Sequence, residues 1–270
     1  MLIAQISDTH IAAPGQKTLG VAPMADNLQR CVTAINALSM KPDLVLLSGD
    51  VTNESTAAEA EHAASILNAL ECPYYLVPGN HDSREVLWDV FGGGAIPSRS
   101  DGFDNYVIQT PDMRVIALDS VARGQAGGMF CATRAKWLRS ALAQGGNQPA
   151  IIFMHHPPLK CGVPETDQDG FSGAGLLGEI VAAHTNIERI LCGHIHLLAH
   201  ARWNGTIVTT APSMGMQLAL DLTQSGPSKF LLSEPAFLLH HWTPERTLIT
   251  HAVQVSNLGE PNGFEPYNRV

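Results

Sequence analysis

Six short apolar runs recur through the first two thirds of the chain: LIAQIS (2–7), LVLLSG (44–49), YYLVPG (74–79), RVIALDS (114–120), AIIFMH (150–155) and RILCG (189–193). Near-continuous apolar runs of this length read as strands buried on both faces. Between them the apolar residues fall at helical spacing. Leu28, Cys31, Val32, Ile35 and Leu38 make one stripe, closed by Pro42; Ile66, Leu67 and Leu70 make another; Trp137, Leu138, Ala141 and Leu142 make a third, ahead of the turn sequence GGN. Strands alternating with helices predict an α/β fold whose sheet is covered on both faces.

After residue 196 the pattern becomes strand-like. HARW and TIVTTA flank Asn204 and Gly205, and AFLLHHW and LITHAVQV flank TPER, so two β-hairpins are expected. The stretch 221–235 reads as a long loop and 259–270 as a weakly structured tail. The chain shows no internal repeat and no low-complexity segment.

With 270 residues, 45% of them apolar, the chain is long enough for one large domain or a domain with a small appendage. No run has the length of a membrane span, and the N-terminus reaches Asp8 and His10 before a cleavable signal could form, so the expected compartment is the cytoplasm. Sixteen basic residues against twenty-five acidic ones argue against binding to long nucleic acid or an anionic membrane surface. An anionic substrate therefore needs a local source of positive charge. The five scattered cysteines contain no CxxC and are expected to be reduced and structural.

The twelve histidines change the picture by their placement. Polar residues able to bind metals follow the apolar runs: Asp8 and His10 in SDTH, Asp50 in SGD, Asn80 and His81 in PGNHD, His155 and His156 in MHH, His194 and His196 in CGHIH. In α/β sheets, sites form outside the carboxyl ends of strands, so these segments are expected to converge on one edge. Imidazoles, carboxylates and an amide without a thiolate suit manganese, iron, cobalt or zinc. Asp8, His10, Asp50, Asn80, His155, His194 and His196 are too many for one tetrahedral ion. They suit two divalent or trivalent ions about 3.5–4 Å apart sharing a bridging carboxylate. Two carboxylates leave such a pair cationic, so an acidic protein can still bind a phosphate ester.

In this order DTH, GD, GNHD, HHPP and GHIH resemble the calcineurin-like metallophosphoesterases, in the bacterial branch containing class III cyclic nucleotide phosphodiesterases and glycerophosphodiesterases. The resemblance implies a four-layer α/β/β/α sandwich of two mixed sheets, with a catalytic core over 1–212. Residues 213–270 would complete the sandwich and supply a cap or dimer contact, and the protein would be a homo-oligomer. It implies that Asp8, His10 and His196 hold one ion, that Asn80, His155 and His194 hold the other, and that Asp50 bridges. His81 would face the substrate phosphate as the catalytic residue. Asn53 takes the place of a second Asp in a related GDxxD motif, as a phosphate or supporting contact. Met216 stands where some glycerophosphodiesterases carry a further substrate histidine, a departure that weakens transfer of their substrate. The implied activity is hydrolysis of a small phosphodiester, a 3',5'-cyclic nucleotide such as cAMP or a glycerophosphodiester. The alternatives are a phosphomonoesterase or nuclease on the same core, or a metal-binding regulator without turnover.

Other polar residues carry plainer expectations. His156 is a weak candidate for substrate contact, with a supporting or structural role before PP as good a reading, and Arg123 for touching phosphate, with a loop salt bridge at least as good. Asp82 reads either as a residue that orients a ligand loop or, by preference, as the cap of the helix that begins near SREVLW. His62, His184, His200, His240, His241 and His251 read as surface, helix-end or strand residues.

Overall fold

The structure, a computed structural model, describes residues 1–223 and 227–256, apart from the side chain of Glu165. The expected tail at 259–270 lies outside the described residues. In chain order the first half runs β1 (Leu2–Ile6), α1 (Met24–Asn36), β2 (Leu44–Leu47), α2 (Ala57–Leu67), β3 (Tyr74–Leu76), α3 (Arg84–Phe91), β4 (Tyr106–Gln109), β5 (Arg114–Ala117), β6 (Gly128–Met129) and α4 (Ala132–Gly145). The second half runs β7 (Ala150–Phe153), α5 (Pro164–Asp169), β8 (Phe171–Ser172), α6 (Ala174–Ala182), β9 (Ile187–Cys192), β10 (Ala199–Trp203), β11 (Thr206–Thr210), β12 (Met216–Leu218), β13 (Phe230–Leu232), β14 (Ala236–Trp242) and β15 (Leu248–Gln254). Each of the six apolar runs holds one strand: β1, β2, β3, β5, β7 and β9.

Two mixed sheets result, ordered β15-β14-β1-β2-β3 and β10-β11-β9-β7-β5-β4. Alternation along the second sheet explains the layers. Val115, Ala117, Ile151, Phe153 and Leu191 join the core that contains Ile3, Ile6 and Leu47 of the first sheet. Their neighbours Ile116, Ile152, Ile190 and Cys192 pack instead with Leu138 and Leu142 of α4 and Leu177 and Val181 of α6. Leu28, Val32 and Ile35 of α1, with Ala63 and Leu67 of α2, pack with the first sheet. The expected stripe of α1 is thus its buried face, and the order helix, sheet, sheet, helix follows from a period of two in the strands.

Both expected hairpins form. Asn204 and Gly205 take positive φ, 45° and 92°, as a tight turn between β10 and β11 demands. β14 and β15 complete the sandwich in the first sheet, β14 pairing antiparallel with β1. The stretch expected to be a loop at 221–235 needs correction. Phe230–Leu232 form β13, which pairs antiparallel with β12 in a separate ribbon. A three-residue strand inside a Gly, Pro and Ser-rich stretch has too little period to be read from sequence.

One polar network crosses the interior. Gln5 Nε2 donates to Ser48 Oγ (2.8 Å) and to the Cys192 carbonyl (2.9 Å), joining the sheets. His240 Nε2 lies 3.0 Å from Gln5 Oε1 and its Nδ1 2.8 Å from Thr250 Oγ1. His240 is therefore a fully buried strand residue with both nitrogens satisfied as a neutral ring, and burial pushes its pKa down to about 3, helped by the Arg189 charge. The unfolded chain, with histidine near 6.5, binds a proton that the folded chain refuses, so stability falls as pH drops below about 6.5. Going from pH 7 to pH 5, His240 is expected to remove about 2 kcal/mol. Urea denaturation of the native chain and of His240→Gln at both pH values checks this: the variant's loss should be smaller by that amount.

Candidate metal centre and active-site cavity

β1, β2 and β3 are parallel neighbours in one sheet, and β7 and β9 in the other. Each group therefore ends along one edge, and there the sheets meet: the His194 N–H, just past β9, donates to both carboxylate oxygens of Asp8, just past β1 (3.0 and 3.1 Å). The turns are tight. Of the ten described non-glycine residues with positive φ, five are Asp8 (51°), His10 (39°), Asp50 (51°), His194 (72°) and His196 (54°). Such backbone is uncommon outside glycine, though Asp and His adopt it more readily than most residues, and it clusters at functional sites where surrounding structure holds it. Two glycines make room. A Cβ at Gly49 would collide with the His155 ring, and one at Gly79 with the Asp50 carboxylate.

The side chains form two groups around one carboxylate. Asp8, His10, Asp50 and His196 bring their ligand atoms within 4.8 Å of one another, as do His155, His156 and His194. His10 Nε2 faces His196 Nε2 at 3.1 Å, and His196 Nε2 lies 3.5 Å from Asp8 Oδ1. Asp50 Oδ2 lies 3.5 Å from His10 Nε2 and 3.3 Å from His155 Nε2, so a single oxygen addresses both groups. Asn80 Oδ1 stands 3.1 Å from His155 Nε2, on the second group's side. All seven residues expected as ligands come together.

The donor chemistry fits metal ions. Nδ1 of His155 donates to the Ser48 carbonyl (2.8 Å) and Nδ1 of His196 to the Met216 carbonyl (2.7 Å), turning both Nε2 atoms into the site. Burial alone would lower the pKa of His155, but Asp50 and then Asp8 raise it to about 9. Two oxygens converge on its Nε2, and that arrangement demands a cation: a proton or a metal ion. Burial would likewise raise Asp50, yet His155, His10 and His81 hold it well below the usual carboxylate range. Burial keeps His10 well below the usual imidazole range in spite of Asp50, leaving a lone pair for a ligand.

His81 sits apart from both groups. Its N–H donates to Asp50 Oδ1 (2.8 Å), its Nδ1 lies 2.9 Å from the Asn53 carbonyl, and its exposed ring meets His10 edge-on at 4.7 Å. A cavity of about 300 Å³ opens over the site, lined by His10, Asp50, Asn53, Asn80, His81, His194 and His196, together with Leu19, Thr166, Asp169, Met216 and Phe230.

At three positions the structure chooses between the readings. Asp82 does not cap α3; Ser83 does, accepting from Val86 N. The buried Asp82 carboxylate instead accepts from Val51 N (3.0 Å), Thr52 N (2.9 Å), Thr52 Oγ1 (2.7 Å) and Gly79 N (2.9 Å), clamping the Asp50 loop to the Asn80 loop. His156 takes the structural role. Its Nε2 bonds to the Ala126 carbonyl (3.1 Å) and its Nδ1 to Ser120 Oγ (2.9 Å), so neither nitrogen is left for a substrate or an ion. It packs instead against His155 and His194, with ring centroids 4.7 and 4.6 Å away. Arg123 is exposed and outside the cavity lining. Residue type carried no signal for the carbonyls of Ser48 and Met216, because every residue has one.

The family described as calcineurin-like phosphoesterase matches residues 1–198. The chain is 32% identical to a probable glycerophosphodiester phosphodiesterase, GpdQ, of Arcobacter nitrofigilis, covering 98% of this chain and 97% of that one. It is 27% identical to the 3',5'-cyclic adenosine monophosphate phosphodiesterase CpdA of Escherichia coli K12, covering 80% and 76%. Among solved structures, a dimetal phosphatase from Danio rerio superposes with a TM-score of 0.65 at 14% identity, covering 95% of this chain and 99% of that one, which shows the shared fold.

The Asp82 clamp is open to test. In Asp82→Asn an amide N–H₂ would face backbone donors, and the variant should bind Mn²⁺ about 10- to 100-fold more weakly and lose about 2 kcal/mol of stability. Titration calorimetry and urea denaturation would measure both; native metal affinity would mean the two loops hold without this carboxylate.

Proposed function

Because this chain belongs to the calcineurin-like phosphoesterases, we propose that it hydrolyses small phosphodiesters to a phosphomonoester and an alcohol. The observation that carries the reading is the Asp50 carboxylate, one oxygen of which addresses both ligand groups at 3.5 and 3.3 Å beneath an open cavity. Asp8, His10 and His196 would hold one ion, Asn80, His155 and His194 the other, and Asp50 both. When bound, such a pair supplies Lewis-acid polarisation of the phosphoryl group and acidifies a water to a pKa near about 7.

The chain's own residues do the rest. The amide of Asn80 is neutral, so it completes a ligand set without cancelling the positive charge that a phosphate needs. Its Nδ2 is the donor left for a phosphate oxygen. His81 has Nδ1 tied to the Asn53 carbonyl, which leaves Nε2 to act: with both nitrogens protonated, the ring would give its Nε2 proton to the departing alcohol oxygen as its bond to phosphorus breaks, and end neutral. Among the described residues lining the cavity there is no Lys or Arg. That supports a diester, with one negative charge, over a monoester with two or a long nucleic acid.

No helix among the described residues is long and apolar enough to cross a membrane. The reading takes the protein as cytoplasmic and as a homo-oligomer; the exposed Leu220, Leu222, Leu231 and Leu232 support the second point.

Two variants separate the roles. Asp50→Asn should lose metal occupancy, measured by elemental analysis, together with activity on bis(4-nitrophenyl) phosphate. His81→Ala should keep both ions and lower kcat by about 10²- to 10⁴-fold. Full activity in the Asp50 variant would sink the mechanism.

A further inference from the structure

The lining of the cavity is of two kinds. One is polar, the candidate metal ligands with Asn53, His81, Thr166 and Asp169; the other is apolar, the three large side chains Leu19, Met216 and Phe230 with the small Ala126. Ordinary burial does not explain two of them, since Leu19 is 61% exposed and Phe230 38%. Leu19 also holds φ at 51°, a backbone conformation unfavourable for leucine and one that argues from structure toward a role.

All three are rooted on the metal-ligand turns. Leu19 projects from a turn closed by Thr18 N to the Ala22 carbonyl (3.0 Å), and Thr18 Oγ1 donates to the carbonyl of His10 (2.6 Å). Met216 offers its own carbonyl to His196 Nδ1 (2.7 Å). Phe230 pairs with Leu218 in the β12–β13 ribbon, and Leu218 N in turn donates to the His196 carbonyl (3.4 Å). Ser213, just ahead of that ribbon, donates to the Asp8 carbonyl (2.9 Å). The apolar group is therefore held at a set distance from Asp8, His10 and His196, the residues that would hold one ion.

We infer that Leu19, Met216 and Phe230 form the subsite for one ester arm of the substrate and select a planar, apolar alcohol, aryl or nucleobase-bearing, over a small or polyhydroxylated one. The inference rests on the phosphodiesterase reading above and deepens it. A planar arm buries apolar surface on these side chains and stacks on the Phe230 ring. A polyol arm laid on Leu19, Met216 and Phe230 would find no hydrogen-bond partner among those three side chains and would lose the ones it had with water, whatever Thr166 and Asp169 elsewhere in the lining offer.

The test uses two diesters with the same leaving group, phenyl 4-nitrophenyl phosphate and methyl 4-nitrophenyl phosphate, so that only the retained arm differs. Mn²⁺-loaded native protein should favour the phenyl ester in kcat/KM by about tenfold, the scale of a modest apolar contact. Phe230→Ala and Leu19→Ser should each bring that ratio down at least about threefold, mainly through KM, and Phe230→Tyr should restore it. Light scattering on each variant separates this from an interface role. If Phe230→Ala changes the oligomeric state and slows both esters equally, or if the ratio stays at the native value in both variants, the inference is overturned. A native ratio near one also overturns it and leaves the phosphodiesterase reading standing, whereas cleavage of neither ester by native protein defeats that reading itself.

Discussion

The carboxylate of Asp50 is the constraint on which the rest of the site depends. One oxygen must reach His10 on one side and His155 on the other, while its partner oxygen accepts the His81 N–H. That geometry leaves no room for a Cβ at Gly79 and puts Asp50 itself at positive φ. It also needs the turns after β2 and β3 to keep a set separation, which is what the four hydrogen bonds to Asp82 enforce. Burying a carboxylate so completely is unfavourable unless cations surround it. The fold answers by delivering histidines from both sheets to the same point.

Delivery from both sheets follows from strand direction. Parallel neighbours place their carboxyl ends together, so β1, β2 and β3 contribute Asp8, His10, Asp50 and Asn80, while β7 and β9 contribute His155, His194 and His196. The interior network through Gln5 and His240 ties the same two sheets by hydrogen bonds to Ser48 and Cys192, just behind that edge. The ring of His156, pinned by Ser120 and Ala126, fills the space behind His155 and His194. The supporting residues are thus as polar as the ligands but have their hydrogen-bonding atoms turned into the protein.

That difference explains which roles were legible. Asp8, His10, Asp50, Asn80, His155, His194 and His196 could be named as candidates because each follows a short apolar run, a one-dimensional fact, while setting His81 and His156 apart from them drew on the family resemblance. Asp82 and His156 stand beside ligands in the same motifs, and only their partners separate them from the ligands. Asp82 meets the backbone of Val51 and Thr52, thirty-odd residues away, while Ser83 takes the capping role expected of it. Leu19 and Phe230 were invisible as cavity residues, since a leucine in a turn and a phenylalanine in a Gly, Pro and Ser-rich stretch have no periodicity to mark them.

By itself the sequence determined the alternation of strands and helices, the two hairpins, and the candidate metal-binding residues at the strand ends, because apolar periodicity and residue chemistry are local properties of the chain. Tertiary structure decided the rest. It put the last hairpin beside β1 in the first sheet, paired β12 with β13, chose which nitrogen of each histidine faces the site, and brought three apolar residues to its cavity. Those outcomes depend on contacts between residues tens to hundreds of positions apart, and no local pattern records such a contact.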